Sequence, residues 1–533
     1  MYRPLYWFGN NGATGVDDSL SLAQEPVYSN GGKTVTITLK PYKWSDGTSV
    51  TSTDVMFWYN MLKAEKANFA AYTPGQFPDN VVSASAPNAT TVVFNTDKAY
   101  SQQWFLANQL STITPMPQAW DMTAAGVKGD CATNESGCKA VWTYLTAQSK
   151  DLPTYATNPL WQVVDGPWKL KSFNADGNNT FVPNPTYSGP VKASLKEFIE
   201  VPFTTDDSQF NVLRAGTTID VGYLPTQDLT APKSATTSPA EAGPNPVKNY
   251  TLAPWFLYGV NYFPINYNNP TVGPIFKQLY FRQALQSIVN QPGILSSAAK
   301  NYGVQTTGPI PLYPSSPLIS SVETNNPYPF SVSAASKYLS DNGWTVKAGG
   351  VTTCTKPGTG AGECGAGITS GQPLTFNLQY SSGQQTITTA MQSMKSNAAQ
   401  VGITLNIEPA PFNTVTGAAI PCTGATCTWQ MENWGGGWVY APDYYPTGEL
   451  LWATGAGSNS GSYSNPAIDK LIQDTTTQSG TAVMQTYENA LAKDLPVIWQ
   501  PNYTYSLTEV ANGLQGVTPQ NPYSALNPEN WHY

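Results

Sequence analysis

The chain predicts an α/β fold, and three observations carry that prediction. A strand, a helix and a second strand follow one another with short joints between residues 374 and 407. An earlier strand at 33–40 runs through a tight turn into a capped helix. The 533 residues also exceed one ordinary core, and a chain of this length divides into roughly two to four domains.

Taken in order, KTVTITLK at 33–40 alternates Val35, Ile37 and Leu39 with polar residues, the period-two pattern of a half-buried strand. The turn WSDG follows, and TSTDVMFWYNMLKAEKAN is expected to be helical. Thr51 would cap it, with Asp54 three residues on as a carboxylate variant of the capping box. ATTVVFN at 89–95 is a second strand, and the prolines and glycines of 150–190, GPWKL at 166–170 among them, predict strands joined by turns. The polar interval 226–249 is either a surface loop or part of a crossing between domains. From Ile275, a helical stripe of Phe276, Leu279, Tyr280, Leu285, Ile288 and Val289 is expected to stop at Gln291-Pro292-Gly293. SVSAASKYLSDNGW predicts a shorter helix ending before Trp344. Then Leu374, Phe376, Leu378 and Tyr380 alternate, Ile387, Met391, Met394 and Ala398 form a helical stripe, and Ile403, Leu405 and Ile407 alternate again. Short joints on both sides imply a parallel crossover, with the methionines packing helix on sheet. No internal repeat is visible.

Composition narrows the function. Charged residues are 11% of the chain, against about 25% in an average globular protein. Uncharged Ser, Thr, Asn, Gln and Gly must therefore carry solubility. A net charge of -8 and a pI near 4.8, with no basic cluster, argue against a nucleic-acid partner. The longest apolar run, WFLYGVNYF at 255–263, falls far short of the ~20 residues that span a bilayer. The chain opens directly in apolar, strand-like sequence without a leader, which predicts that Met1 is internal to a longer precursor.

Six cysteines fall into three local pairs, Cys131/Cys138, Cys354/Cys364 and Cys422/Cys427, each in a polar loop. Loop closure favours nearest-neighbour pairing, so disulfides are preferred over free thiols or metal ligation, and an oxidising, extracytoplasmic location follows. The one histidine, His532, lies next to the chain's end, and there is no CxxC. Zinc-type ligation and Ser-His-Asp or Cys-His catalysis are poorly supported for that reason. Two-carboxylate glycosidase chemistry stays open.

NWGGGWVYAPDYYP at 433–446 puts aromatic faces, bare backbone and one carboxylate together. It is either a clasped hairpin or a ligand cradle.

Seven segments in register resemble one family. They are YRPLYWFG (2–9), YKWSDGTSVTSTDVMFWYNML (42–62), GPWKL (166–170), LRAGTTIDVGYL (213–224), FRQALQSIVNQPGIL (281–295), YLSDNGW (338–344) and YSNPAIDKLI (463–472). Together the chain resembles the extracellular solute-binding proteins of ABC importers, in the peptide-binding (dipeptide, oligopeptide, nickel; family 5) group. The resemblance implies an α/β, bilobal periplasmic-binding-protein-like fold (type II, cluster C) with an extra subdomain in the first lobe. It places the first lobe's core at 1–32, 161–258 and 503–533, the subdomain at 33–160 and the second lobe at 259–502. The chain would cross near 259–266 and return near 500–505. It also implies a receptor without catalysis, cofactor or metal, working with an ABC permease and secreted or lipid-anchored at the outer face of the membrane. A monomer is expected, with self-association left open. The cysteine pairs are additions to the family's pattern.

In oligopeptide binders a Gly-Trp followed by Ala-Asp-Tyr and Pro corresponds to Gly437-Trp438 and Pro442-Asp443-Tyr444-Tyr445-Pro446 here, at slightly different spacing. The resemblance implies that Asp443 accepts a peptide's terminal ammonium and Trp438 lines a side-chain pocket. Trp434, Gly436, Gly437, Tyr440, Trp7, Trp255 and Arg3 complete the candidate set, Arg3 standing where many members carry an acid. Peptide is the favoured ligand. An oligosaccharide is the alternative, since Trp, Tyr, Asn and Gln suit stacking and neutral hydrogen bonding, and nickel fits less well with one histidine. A secreted glycoside hydrolase, with two carboxylates roughly 5–9.5 Å apart, and an abundant surface or structural protein remain as other classes.

Overall fold

Alternation at 33–40 yields the strand Thr34–Thr38, with Val35 and Ile37 buried, in a computed structural model that describes residues 1–69, 71–216 and 218–533. Antiparallel neighbours Val27–Ser29 and Thr91–Thr96 flank it, and Val81–Asn88 completes a four-stranded sheet. The helix Ser52–Glu65 packs on that sheet. Its cap uses the predicted pair: Asp54 accepts from Thr51 N at 2.7 Å and from Thr51 Oγ1 at 3.1 Å. The helix Cys138–Gln148 leans on it from the other side. GPWKL becomes the strand Trp168–Ser172, in a three-stranded sheet with Asn179–Pro183 and Phe198–Glu200.

The crossover unit is parallel as expected. Thr375–Ser381 and Thr404–Ala410 pair with Leu378 opposite Ile407, and the helix Gln385–Ala399 joins them, burying Ile387, Met391, Met394 and Ala398. A third strand, Met431–Asn433, adds in parallel to the other edge of Thr375–Ser381. Three residues are too few for alternation to show, so the sequence offered no sign of it.

One element departs from expectation. The continuous helix from Ile275 is three pieces, Gly273–Phe276, Leu279–Ser287 and Gln291–Ser297. Gln291-Pro292-Gly293 begins a helix instead of only ending one. Asn290 Oδ1 accepts from Gly293 N at 3.0 Å as the cap, and a proline in the first turn has no N–H to waste. Leu279 consequently sits at a helix start and is exposed, while Phe276, Leu285, Ile288 and Val289 are buried as predicted.

All three local cysteine pairs are disulfides. Cys131–Cys138 opens the helix Cys138–Gln148, and Cys354–Cys364 is buried beside Trp344. Cys422–Cys427 closes the loop leading to Met431–Asn433, where Asn266 Nδ2 donates to Cys427 Sγ at 3.2 Å and to Trp429 O at 2.8 Å.

The segments expected to cross lie side by side. Gly259–Val260 pairs with Trp438–Val439, and Tyr262–Phe263 with Ile498–Trp499. Gly303–Val304 pairs with Asn502–Tyr503, and Asn502 Nδ2 donates to Gly259 O at 3.0 Å. The interval 226–249 is a folded loop, gathered around the buried Lys233, whose Nζ donates to the carbonyls of Ser238, Pro239 and Glu241 at 2.8–3.0 Å. No helix among the described residues is long and apolar enough to cross a membrane.

Candidate functional site

The stretch 433–446 begins where Met431–Asn433 ends, and backbone demands set its glycines. Gly435 turns at φ +87° against Ile387, with Asn433 Oδ1 accepting its N–H at 2.8 Å. A side chain on Gly437 would lie 1.9 Å from Val260 O, so the strand pair 259–260 with 438–439 closes only because that position is bare. Gly436 meets nothing within 4 Å. A Cβ there would have room, so this glycine is not required by packing.

Trp438 Nε1 reaches Asp443, donating to Oδ1 at 3.1 Å and Oδ2 at 2.9 Å. Asp443 is buried, and among the described residues no cation pairs with it. Burial, then the charge of Glu449, push its carboxyl well above the usual range, and the indole N–H only partly opposes them. A buried carboxylate of this kind gains most from a cation brought to it. Trp434 is half-buried, edge to face with Tyr262 at 5.6 Å.

Contacts the sequence did not reveal hold this strip down. Asn108 brackets the Tyr445 peptide, Nδ2 donating to Tyr445 O and Oδ1 accepting from Tyr445 N, both at 2.8 Å. Trp104 Nε1 donates to Glu449 Oε1 at 2.6 Å, and Ser111 Oγ to Pro442 O at 3.2 Å. Tyr444 stacks on Phe8 at 4.4 Å. Asn108, Trp104 and Ser111 lie in no recognisable motif, and all four partners stand hundreds of residues away in sequence.

Beside the crossing segments lies a cavity of about 690 Å³. Tyr223, Gln227, Gln384, Thr386, Tyr503 and Tyr505 line it, and the helix Gln385–Ala399 that carries Thr386 also meets Gly435 through Ile387. Asp206 is the one charged residue in its wall, and it already accepts from Tyr223 Oη at 3.0 Å. The cavity presents hydroxyls, amides and tyrosine rings.

Of the candidate residues, the structure brings Trp434, Gly436, Gly437, Trp438 and Asp443 together. Tyr440 turns inward, fully buried, with its hydroxyl donating to Pro309 O at 2.5 Å, so it packs the core and faces no ligand. Arg3 is also unavailable. It is buried, ion-paired with Glu529 at 2.5 Å, bonded to Tyr187 Oη at 3.3 Å and laid over the Trp7 ring at 4.4 Å. Trp7 serves that stack, while its neighbour Phe8, on the opposite face of the strand, is the ring that reaches 433–446. Trp255 packs with the Val510, Leu514, Val517 and Trp531 cluster instead. No group of three His, Cys, Asp or Glu among the described residues is placed to hold a metal.

Comparison with known proteins bears on the family and the fold. The family model described as bacterial extracellular solute-binding proteins, family 5 Middle, matches residues 19–458. Protein XP55 of Streptomyces lividans is 24% identical over 544 residues, covering 97% of this chain and 84% of that protein. The oligopeptide-binding protein AppA of Bacillus subtilis, solved with a nonapeptide, superimposes with a TM-score of 0.68 at 17% identity, over 99% of this chain and 93% of that one. NikA of Brucella suis, solved with Fe(III)-EDTA, gives 0.70 at 16%, over 100% and 93%. At such identities the two structures establish the shared bilobal α/β fold.

Proposed function

Since the chain belongs to the bacterial extracellular solute-binding proteins of family 5, we propose that it captures a ligand bearing a primary ammonium, foremost a peptide, between two closing lobes and delivers it to an ABC permease. Members of this family are binding receptors and not enzymes, which sets the glycosidase reading aside. They bind peptides or small molecules and work with ABC permeases. The observation that carries the ligand reading is Asp443: a buried carboxylate with one indole donor and, among the described residues, no cation.

The proposed division is a first-lobe core of 1–32, 161–258 and 503–533, a subdomain of 33–160 and a second lobe of 259–502. It is supported by the segments 259–263 and 498–503, which lie side by side where the chain would cross and return, and hinge motion would turn on them. Secretion or lipid anchoring at the outer face follows from the same reading.

Losing one partner of a buried, hydrogen-bonded charge pair costs about 2–5 kcal/mol, which is roughly 30-fold to several thousand-fold in affinity. Calorimetry with Asp443→Asn should show that loss for a peptide with a free amino terminus and hardly any for its N-acetylated form. Trp438→Ala should weaken both, and the free-amine peptide more, because it also removes the indole donor that holds the Asp443 carboxylate. Equal effects of Asp443→Asn on the two peptides would remove the ammonium role.

A second reading has its own observation. Among the described residues the cavity wall has no lysine, arginine or histidine to meet a carboxylate, and its hydroxyls and amides suit a neutral oligosaccharide. Mass spectrometry of ligand released from protein denatured straight from its source separates the two readings, and finding only sugar would overturn the peptide.

A further inference from the structure

A second concave site lies in the region of the first sheet, away from 433–446. It is a groove of about 320 Å³ between the end of helix Ser52–Glu65, the helix Cys138–Gln148 and the segment around Trp120. Four half-buried tryptophans line it, Trp58, Trp120, Trp142 and Trp161, with Phe69 beside them. Two pairs pack edge to face, Trp58 with Phe69 at 6.0 Å and 88° and Trp120 with Trp161 at 5.3 Å and 80°. Half-buried indoles gathered in one concavity leave apolar surface in water, and a concave aromatic patch of this kind marks a candidate binding site.

The walls are fixed in advance. The disulfide Cys131–Cys138 anchors the start of helix Cys138–Gln148. Asp121 accepts from Cys131 N at 3.1 Å and Ala132 N at 3.0 Å, and Asn60 Nδ2 donates to Cys131 O at 2.9 Å. Trp120 Nε1 is held by Leu160 O at 2.6 Å.

Charge selects the occupant. Among the described residues Glu65 is the one charged side chain in the groove's wall, and it accepts from the amide Asn68 Nδ2 at 2.8 Å. The two neighbouring lysines are committed elsewhere, Lys63 to Glu135 and Lys66 to Asp79. Aromatic faces attract cations through the ring quadrupole, and a carboxylate at the rim adds to that attraction. We propose that this groove is a binding site, separate from the cleft, for a small organic cation of the quaternary-ammonium type. The cysteine pair that the transport reading leaves unused would then serve to hold one wall of the cage.

Tryptophan fluorescence, checked by calorimetry, tests this on the whole chain with choline chloride against 3,3-dimethylbutan-1-ol, its uncharged isostere, at matched ionic strength. Choline should bind saturably, at least about fivefold tighter than the isostere. Glu65→Gln, at an accessible rim, and Trp142→Ala should each weaken choline while leaving peptide binding through Asp443 unchanged. Equal binding of the two probes, no saturation by choline, or indifference to Glu65→Gln in a variant with an unaltered melting temperature would each overturn the proposal.

Discussion

Asp443 and Glu449 share one strip of chain, and different donors reach them. Glu449 accepts from Trp104 Nε1 at 2.6 Å and Asn108 Nδ2 at 3.0 Å, donors that suit a carboxylate. Asp443 has the Trp438 indole and is pushed upward by burial and by Glu449 itself. Protonation of the raised Asp443 carboxyl therefore competes with an arriving ammonium. Affinity for a free-amine peptide should rise with pH, by about tenfold per unit at most, until the peptide's own amine titrates near pH 8. The N-acetylated peptide should show a flat profile in the same titration. Glu432 gives a stability counterpart. Burial and the charge of Glu408 raise its carboxyl to about 8. The folded state then holds a proton that the unfolded chain has released, so stability falls as pH rises from the ordinary glutamate value towards 8. Thermal melts should find Glu432→Gln stabilising at pH 8, by at least about 2 °C, and nearly neutral at pH 5. Lys233 is a third case: Lys233→Ala strands three carbonyls and should cost about 1–3 kcal/mol in denaturant unfolding.

At the scale of elements, short-range signals were legible where one segment sufficed to state them. Val35 and Ile37, the Thr51–Asp54 cap and the crossover stripe of Ile387, Met391 and Met394 all fell where periodicity put them. Pro292 shows the limit, because the same proline that ends one helix suits the first turn of the next, and only the Asn290 cap decides between them. The cysteine loops were legible too, since close spacing leaves little choice of partner. Their closure should be worth about 2–3 kcal/mol each in the chain-entropy model. Cys131→Ser with Cys138→Ser should lower stability by about that amount in denaturant unfolding, and the largest loss of hydrogen-exchange protection should fall in helix Cys138–Gln148.

For the whole molecule, the bonds of Asn108, Trp104 and Ser111 to 442–449, with Ser101 N donating to Thr476 O at 2.9 Å, tie the proposed subdomain to the proposed second lobe. Lobe opening has to break them while the segments at 259–263 and 498–503 stay side by side. Small-angle scattering should give a smaller radius with bound ligand than without. Asn108→Ala should enlarge the ligand-free radius, because it removes both bonds to the Tyr445 peptide. A radius indifferent to saturating ligand would point to a rigid scaffold.

The sequence by itself determined the α/β class, the crossover unit, the cysteine pairing and the strip 433–446, because each is stated by residues close together in the chain. Only the tertiary structure decided what the strip touches and which candidates are free. Arg3 looked available until Glu529, 526 positions away, took its charge. Tyr440 looked like cradle until Pro309 took its hydroxyl, and Asn108 and Trp104 carried no motif until the fold set them against Tyr445 and Glu449. A side chain's periodicity reports which face of its own element it occupies. Which distant group meets that face depends on how the elements pack, and no local pattern encodes it.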